Sequence, residues 1–535
     1  MNISDFSFLF PPMTDINENK SFQNLSVIDD LGLSNLLYSK AVDISRYITD
    51  DCEIIEYRSG LFMNFAECDE LLSLFVKIRD IIHNIHEINK VSNVTETNET
   101  NIYSIKQLEL YINFIKMAHE GFSSLRERIS AAQIQIFADI IDEVFFSPEF
   151  NSLCTGTQKM LLSVANIKSV TVGFNINAQM EPYEGGLLSV NTEYIKSGNL
   201  VDRLMSVNLG DDKLTALCPL IPNSKIYNKQ EYDTASMIFI EAMKKTLRSG
   251  IGRWQPLIKN FLTSEMAGYI SLLPELEYII YGGTIVCELK KHKLPLCCPV
   301  VHRKEDRVCK ITGLYNPIVA LENTNIQQVK NDFCFDNDGM IYIVTGPNSG
   351  GKSVFTRAVG IIYVFFQMGL PIPAKKAELS PVDLIMTVFP NKAHGLSNAG
   401  GRLDEECEEC IEIHELFKKV TPYSIVLLDE VLSSTSSFEG AIIAKELICA
   451  LRRIGVRGLF TTHMHELVGM IDEINSEFDG GIDTLTTEVT NGKRTFLVNR
   501  RRPDGKSYAL DVAKKHGLTE KTLLELNRNG KLGGI

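Results

Sequence analysis

Ile341-Tyr342-Ile343-Val344-Thr345-Gly346-Pro347-Asn348-Ser349-Gly350-Gly351-Lys352-Ser353 is the stretch on which the reading of this chain turns. Its short apolar run predicts a buried strand, and the residues from Val354 to Met368 predict a helix straight after the glycines. A strand, a G-x-x-x-x-G-K-S loop and a helix, in that order, make a P-loop, whose glycines let backbone N–H groups wrap phosphates at a helix N-terminus. Gly346, Pro347, Asn348, Ser349, Gly350, Gly351 and Lys352 are therefore expected to hold the phosphates of ATP, and the Ser353 hydroxyl to ligate Mg2+.

Further along, Tyr423-Ser424-Ile425-Val426-Leu427-Leu428 predicts another strand, and it ends in Asp429-Glu430. An acid at a strand's carboxyl end can hold the hydration shell of Mg2+, and its neighbour can orient and deprotonate a water. An isolated Asp-Glu pair reads more simply as the cap of the next helix. Downstream of a P-loop, Asp429 is instead expected at the metal and Glu430 as general base. Gly458-Leu459-Phe460-Thr461-Thr462-His463 repeats the pattern and would set an imidazole near the γ-phosphate, with His465 as a competing choice.

Length and composition bound the rest. At 535 residues and 44% hydrophobic content the chain is expected to form two to four domains. A formal charge of −13 argues against a uniformly basic nucleic-acid coat, although a local basic face can still neutralise phosphates. The start, Met1-Asn2-Ile3-Ser4-Asp5, carries no leader pattern, and the longest apolar run, Val359 to Met368, is too short to span a bilayer. A cytoplasmic protein without a membrane partner is the expectation. The 12 cysteines are scattered and read as small buried residues rather than disulfides. Cys407, Cys410 and His414 fall on one helical face, which favours packing over half a zinc site.

Periodicity organises the chain into helices from about Ser26 to Lys90, a polar loop at Val91 to Asn101, and helices again from Ser104 to Val164. Ser169 to Ile176 alternates as a strand, with Gly185-Gly186 read as a turn nearby, and helices return from Tyr232 to Lys293. The last region alternates strands and helices as a parallel α/β sheet does. The expected fold is multidomain: a helical region over 1–165, a small sheet element with a helical return over 166–305, and a C-terminal α/β P-loop domain over 306–535.

These motifs together resemble the MutS family of DNA mismatch-repair ATPases. Thr345 to Ser353 is similar to its Walker A, and Pro371 to Glu378 with Pro381-Val382-Asp383 to the segment that follows. Asp429-Glu430-Val431 with Thr435 to Gly440 resembles its Walker B and extension, and Phe460 to His463 with Glu466-Leu467 its histidine switch. Leu314-Tyr315-Asn316-Pro317, Asn331-Asp332 and Lys506 to Ala513 extend the likeness over about Lys310 to Leu524. The resemblance implies an α-helical core and lever feeding an ABC-type ATPase domain that works as a homodimer on DNA. ATP lies at the dimer interface and its state opens or closes a clamp. It assigns Asn348, Lys352 and Ser353 to phosphate, magnesium or water, Asp429 to the magnesium, Glu430 to the base, and His463 to sensing the γ-phosphate.

The chain also departs from the pattern. Leu432-Ser433-Ser434 stands where the family has a Gly-Arg-Gly run, and Ser397-Asn398-Ala399-Gly400-Gly401-Arg402 matches the trans-acting signature loosely, with Ser397 or Arg402 as the contact. The helical core begins by about residue 27, so the mismatch-reading and connector domains are expected to be absent. Phe65-Ala66-Glu67 matches the mismatch wedge but sits in helical pattern, as a core phenylalanine beside a surface glutamate. The basic clusters at Lys244 to Arg253, Lys290 to Lys304 and Arg500 to Arg502 read first as solvated surface. A nucleotide-gated scaffold with weak or no turnover is the alternative. Chromosome-maintenance ATPases are disfavoured by the lack of long heptads, and transporter subunits by the lack of a Leu-Ser-Gly-Gly-Gln signature.

Overall fold

The computed structural model describes residues 3–12, 14, 26–37, 42–94, 102–165, 168–179, 182–191, 193–194, 221–222, 266–322, 328–347, 350–389, 410–415, 417–432, 436–490, 493–503 and 517–532. They form a mixed helix and sheet protein. Its elements are α1 (Ser26–Asp30), α2 (Cys52–Glu67), α3 (Glu70–Val94), α4 (Ile102–Leu125), α5 (Ala132–Phe145) and α6 (Pro148–Ala165), then β1 (Ser169–Ile176) and β2 (Pro182–Asn191). There follow α7 (Met266–Ser271), α8 (Leu273–Lys291), β3 (Val300–Val301), β4 (Cys309–Leu314), α9 (Pro317–Glu322), β5 (Asn331–Phe335), β6 (Ile341–Thr345) and α10 (Lys352–Met368). The remainder is β7 (Lys376–Leu379), β8 (Ile385–Val388), β9 (Ile425–Asp429), α11 (Ser437–Ile454), β10 (Arg457–Thr461), α12 (His465–Gly469), α13 (Ile471–Phe478), β11 (Ile482–Thr490), β12 (Lys493–Arg500) and α14 (Glu520–Leu532). No helix among the described residues is long and apolar enough to cross a membrane.

The chain divides into two compact units, each drawn from separated stretches. One comprises Met1–Phe6, Ser73–Glu127 and Ile134–Leu276; the other comprises Ser7–Leu72, Arg128–Gln133 and Glu277–Ile535. In the first, α5 buries Ile134, Phe137, Ala138 and Ile141 at helical spacing, and Phe114, Phe122, Phe137 and Tyr269 form an aromatic core. Its β1–β2 hairpin corrects one expectation. Gly185 and Gly186 lie inside β2, opposite Phe174 and Gly173, and are not the turn. Lacking side chains, they suit a ladder whose register shifts at Thr171/Val172.

In the second unit the order of the six-stranded sheet is β12-β11-β6-β10-β9-β8, parallel except for β12. Strands such as β6, β9 and β10 are buried at every residue, which is why they read as unbroken apolar runs. Ile341, Ile343, Val426, Leu428 and Phe460 pack against α11 to α13 on one face. On the other, Leu427 lies against Gly360 of α10, where an added Cβ would sit 2.7 Å from its Cδ1. A smaller sheet, β3-β7-β4-β5, adjoins it in the chain.

Helix α10 is buried along most of its length, and polar groups anchor its C-terminal end. Tyr278 donates to Met368 O at 2.7 Å, and Gln367 Nε2 donates to Val382 O at 2.8 Å and Thr49 O at 3.1 Å. Gly369 ends it at φ 77, where a side chain would collide with Arg58. Phe65 is fully buried within α2, where it packs against Phe62, so the Phe-x-Glu triplet is core packing. Much of the basic surface is paired with acids: Lys304 with Asp50, Arg500 with Asp336 and Asp483, and Arg502 with Asp472.

Candidate nucleotide site

The central strand β6 delivers the chain into the glycine loop, and α10 leaves it. Gly346 has φ 135, and a Cβ there would lie 2.1 Å from Thr487 Oγ1. Gly350 would bring a Cβ within 2.7 Å of Pro347 O, and Gly351, at φ 94, caps the helix. These positions require glycine because backbone or a neighbouring strand fills the space of a side chain. Asn348 and Ser349 lie outside the described residues.

Lys352, the first residue of α10, is buried and turns back onto its own loop. Its Nζ donates to Gly346 O at 3.0 Å and Pro347 O at 3.3 Å, and lies 3.4 Å from the His463 ring. Burial pulls its ammonium below the usual value, against the nearby charges of Glu430 and Asp429. Ser353 Oγ donates to Asp429 Oδ1 at 3.0 Å across 76 residues of sequence. Burial pushes the Asp429 carboxyl up, while the Ser353 hydroxyl opposes that shift.

The parallel pairing of β9 and β10 aligns Asp429 with Thr461. Glu430 extends the ladder by donating its N–H to Thr461 O at 2.9 Å, and Thr462 N donates to Val344 O at 3.0 Å. Glu430 and Leu432 hold φ values of 54 and 61, left-handed geometry that non-glycine residues rarely adopt outside functional turns. Past the strand ends, His463 Nε2 meets Glu430 Oε1 at 2.7 Å. That hydrogen bond holds the Glu430 carboxyl below its usual value, against its own burial. His465 opens α12 instead, so of the two histidines it is His463 that joins the acid.

Lys352, Ser353, Asp429, Glu430 and His463 thus form one connected cluster. Beside it opens a cleft of about 500 Å³ lined by Tyr315, Asn316, Val319, Gly351, Glu430 and Phe496 among others. The donor set fits a magnesium-bound triphosphate: a loop that excludes side chains, an ammonium held by carbonyls and an imidazole, a hydroxyl on a carboxylate, and the buried hydroxyl of Thr487, which has no partner among the described residues.

Phe496 has no sequence signal, whereas Asn316 and Asn331 fall in the stretches through which the chain resembles the family. Phe496, at φ 60 in β12, lies over Gly351, whose Cβ would meet its ring at 3.2 Å. Asn331 sets it there, donating to Phe496 O at 3.4 Å and accepting from Val498 N at 2.8 Å. Asn316 caps α9 through Ile318 N and Val319 N and donates to Val354 O of α10 at 3.2 Å. Ser397 and Arg402 lie outside the described residues, as do 433–435 and 504–516.

A parallel sheet whose central strand runs through a glycine loop into a buried helix, with a carboxylate pair at the end of β9, defines the class. Residues 342–530 match the family model described as MutS domain V. The chain is 33% identical over 228 residues to the DNA mismatch repair protein MutS of Clostridium perfringens, covering 41% of this chain and 24% of that protein. To that of Prochlorococcus marinus it is 31% identical over 239 residues, 44% of this chain and 25% of the relative. To that of Clostridium botulinum (strain Hall) it is 26% identical over 362 residues, 64% of this chain and 36% of the relative. Through residues 342–530 the chain is similar to the MutS family, and it spans between a quarter and about a third of the length of these relatives.

Proposed function

We propose that this chain is a DNA-binding ATPase of the MutS type, which binds and hydrolyses ATP in the cleft beside the glycine loop and uses the nucleotide state to control its hold on DNA. The observation that carries this reading is the linkage of Ser353 to Asp429 and of Lys352 to His463 and Glu430, five polar residues from three strand ends joined in one cluster. A binding-only site has no need of an ionised carboxylate held ready for a proton.

Lys352 would exchange its carbonyl partners for phosphate oxygens, which match its charge as the carbonyls do not. Ser353, with Asp429 through the hydration shell, would hold Mg2+, which when bound neutralises phosphate charge. Glu430 orients the attacking water and takes its proton. When His463 Nε2 carries a hydrogen it donates to Glu430, so arrival of the γ-phosphate can be read as competition for the imidazole. Phe496 offers a ring face for the base. Nucleotide shifts DNA affinity only by its different affinity for the two states, and an ATP shared between two copies would supply that difference. The exposed Phe438, Ile442 and Ile443 on α11, just beyond the Glu430 turn, support such a homodimer.

The scaffold alternative draws on Leu432, buried and left-handed where the family has glycines. Steady-state ATP hydrolysis, wild type beside Glu430→Ala, without DNA and with homoduplex, mismatched and four-way-branched DNA, separates the two. DNA-responsive turnover that Glu430→Ala lowers by about 10²- to 10⁴-fold supports the ATPase. Nucleotide binding without turnover in any condition overturns it in favour of the scaffold.

A further inference from the structure

A second cavity, about 780 Å³ and larger than the cleft beside the glycine loop, lies at the other end of the sheet, against β4 and β5. Its walls include the first residue of β10, Arg457, together with Arg307, Phe335 and Arg500. Arg500 is an ordinary surface arginine there, held between the carboxylates of Asp336 and Asp483. The other two differ. Arg457 is 2% exposed, yet among the described residues only its Nη1 is engaged, donating to Arg307 O at 2.7 Å, while Nε and Nη2 are buried with no hydrogen-bond partner there. Arg307 donates to Gly455 O through Nη2, and its Nε is likewise buried and unmatched.

Neither arginine makes an ion pair among the described residues. Asp336 is taken by Arg500, and Asp332 accepts from Gly313 N at 2.8 Å. Asp306 also lines the cavity, but it is exposed and bonds to neither. Burial chiefly, with the nearby Arg457 guanidinium adding to it, pulls Arg307 below its usual value. Two like charges, partly desolvated and bonded only to neutral carbonyls, are an arrangement that folded proteins rarely keep without a counter-charge. The backbone is set for it: Arg307 holds φ 53, a left-handed conformation that turns its carbonyl to Arg457. The Phe335 ring, also in the cavity wall, lies 5.8 Å from the Arg457 guanidinium.

We propose that Arg457 and Arg307 form an oxyanion-binding site, separate from the glycine-loop cleft, that takes the phosphate or carboxylate group of a small molecule in this cavity. A guanidinium fork offers paired N–H donors to either group, and the unmatched Nε and Nη2 of Arg457, closed to solvent here, become such a pair once the side chain turns out to the cavity. The site stands whether or not the glycine loop binds nucleotide.

The test is calorimetric titration of the full chain carrying Lys352→Met, which weakens phosphate binding at the glycine loop, with inorganic phosphate and separately with citrate. Saturable binding of one anion per chain is expected, weakened at least about tenfold when Arg457→Met is added, because a charge-assisted pair is lost. Arg307→Gln, on a half-buried turn rather than a strand, is expected to weaken it as well and carries the test if the first variant folds poorly. A preference for phosphate or for citrate names the group. No saturable binding of either anion by the Lys352→Met chain, or equal binding with and without Arg457 and Arg307, overturns the proposal.

Discussion

The two ends of the six-stranded sheet treat charge differently. At the carboxyl ends of β6, β9 and β10, Ser353 is bonded to Asp429, and Lys352 and Glu430 meet through His463, so cation, acids and imidazole share one site. At the amino ends, among the described residues, Arg457 and Arg307 are bonded only to carbonyls and keep unmatched N–H groups. A ligand at the first end must exchange existing partners, while one at the second supplies a missing charge. Parallel sheets bind ligands outside their carboxyl ends, where strands hand over to helix N-termini, and the glycine loop follows that rule. The second cavity lies outside it and rests on side chains alone.

The largest expected effect comes from Asp429→Asn, which separates function from stability at the carboxyl end. ATP turnover is expected to fall roughly 10²-fold or more, because the metal loses its carboxylate. Stability is expected to rise by about 1 kcal/mol at neutral pH, since a buried charge is removed and Ser353 keeps an acceptor. The folded carboxyl titrates above its unfolded value of 3.8, so the native form gains as pH falls and loses as pH rises through the folded value. The advantage of Asn should therefore vanish toward acid pH in urea unfolding curves. A loss of stability at neutral pH would contradict the picture of a strained but self-sufficient cluster.

Phe496→Ala is expected to weaken ATP binding by about 2- to 10-fold with little change in maximal turnover, as loss of a ring face predicts. An unchanged nucleotide affinity in equilibrium binding would remove the β12 hairpin from the site. At the other end, Arg457→Met, studied in anion-free buffer, should leave stability level or raised by about 1 kcal/mol. A large loss in urea unfolding would show that the guanidinium is already well compensated.

The smallest effect concerns Asp30, which accepts from Thr387 Oγ1 of β8 at 2.6 Å. Burial chiefly, with Glu412 and Asp29 adding to it, raises its carboxyl from 3.8 to about 6. The stability this residue contributes is complete below 3.8 and lost as pH rises through about 6. Asp30→Asn should accordingly be more stable than wild type above pH 6, by under about 1 kcal/mol given its partial exposure, and equal to it near pH 4. A pH-independent difference in thermal unfolding would assign the effect to the Thr387 hydrogen bond instead.

The strands and helices around the glycine loop were legible because their physics is local. An unbroken apolar run must be buried on both faces, and a glycine run between it and a helix marks a turn closed to side chains. The pairing of Glu430 with His463 rather than His465 was legible only in part, since two residues' difference along the chain becomes a difference of element in space. Gly185-Gly186 misled because glycine signals a turn by default, and only the partner strand shows that it sits in a ladder. Phe496 had no local signature at all, and Asn331 was legible through the resemblance but not as the residue that holds Phe496.

By itself, then, the sequence determined the order of strand, loop and helix, the acids at the end of β9 and the histidine beyond β10. It could do so because those residues act through backbone geometry set within a few positions. Which side chains share a cluster was decided by tertiary structure, because the packing of helix and turn against strand ends brings Ser353 to Asp429, and Arg307 to Arg457, from 76 and 150 positions apart. Whether a buried charge finds its partner depends on those long-range neighbours, and no local pattern records it.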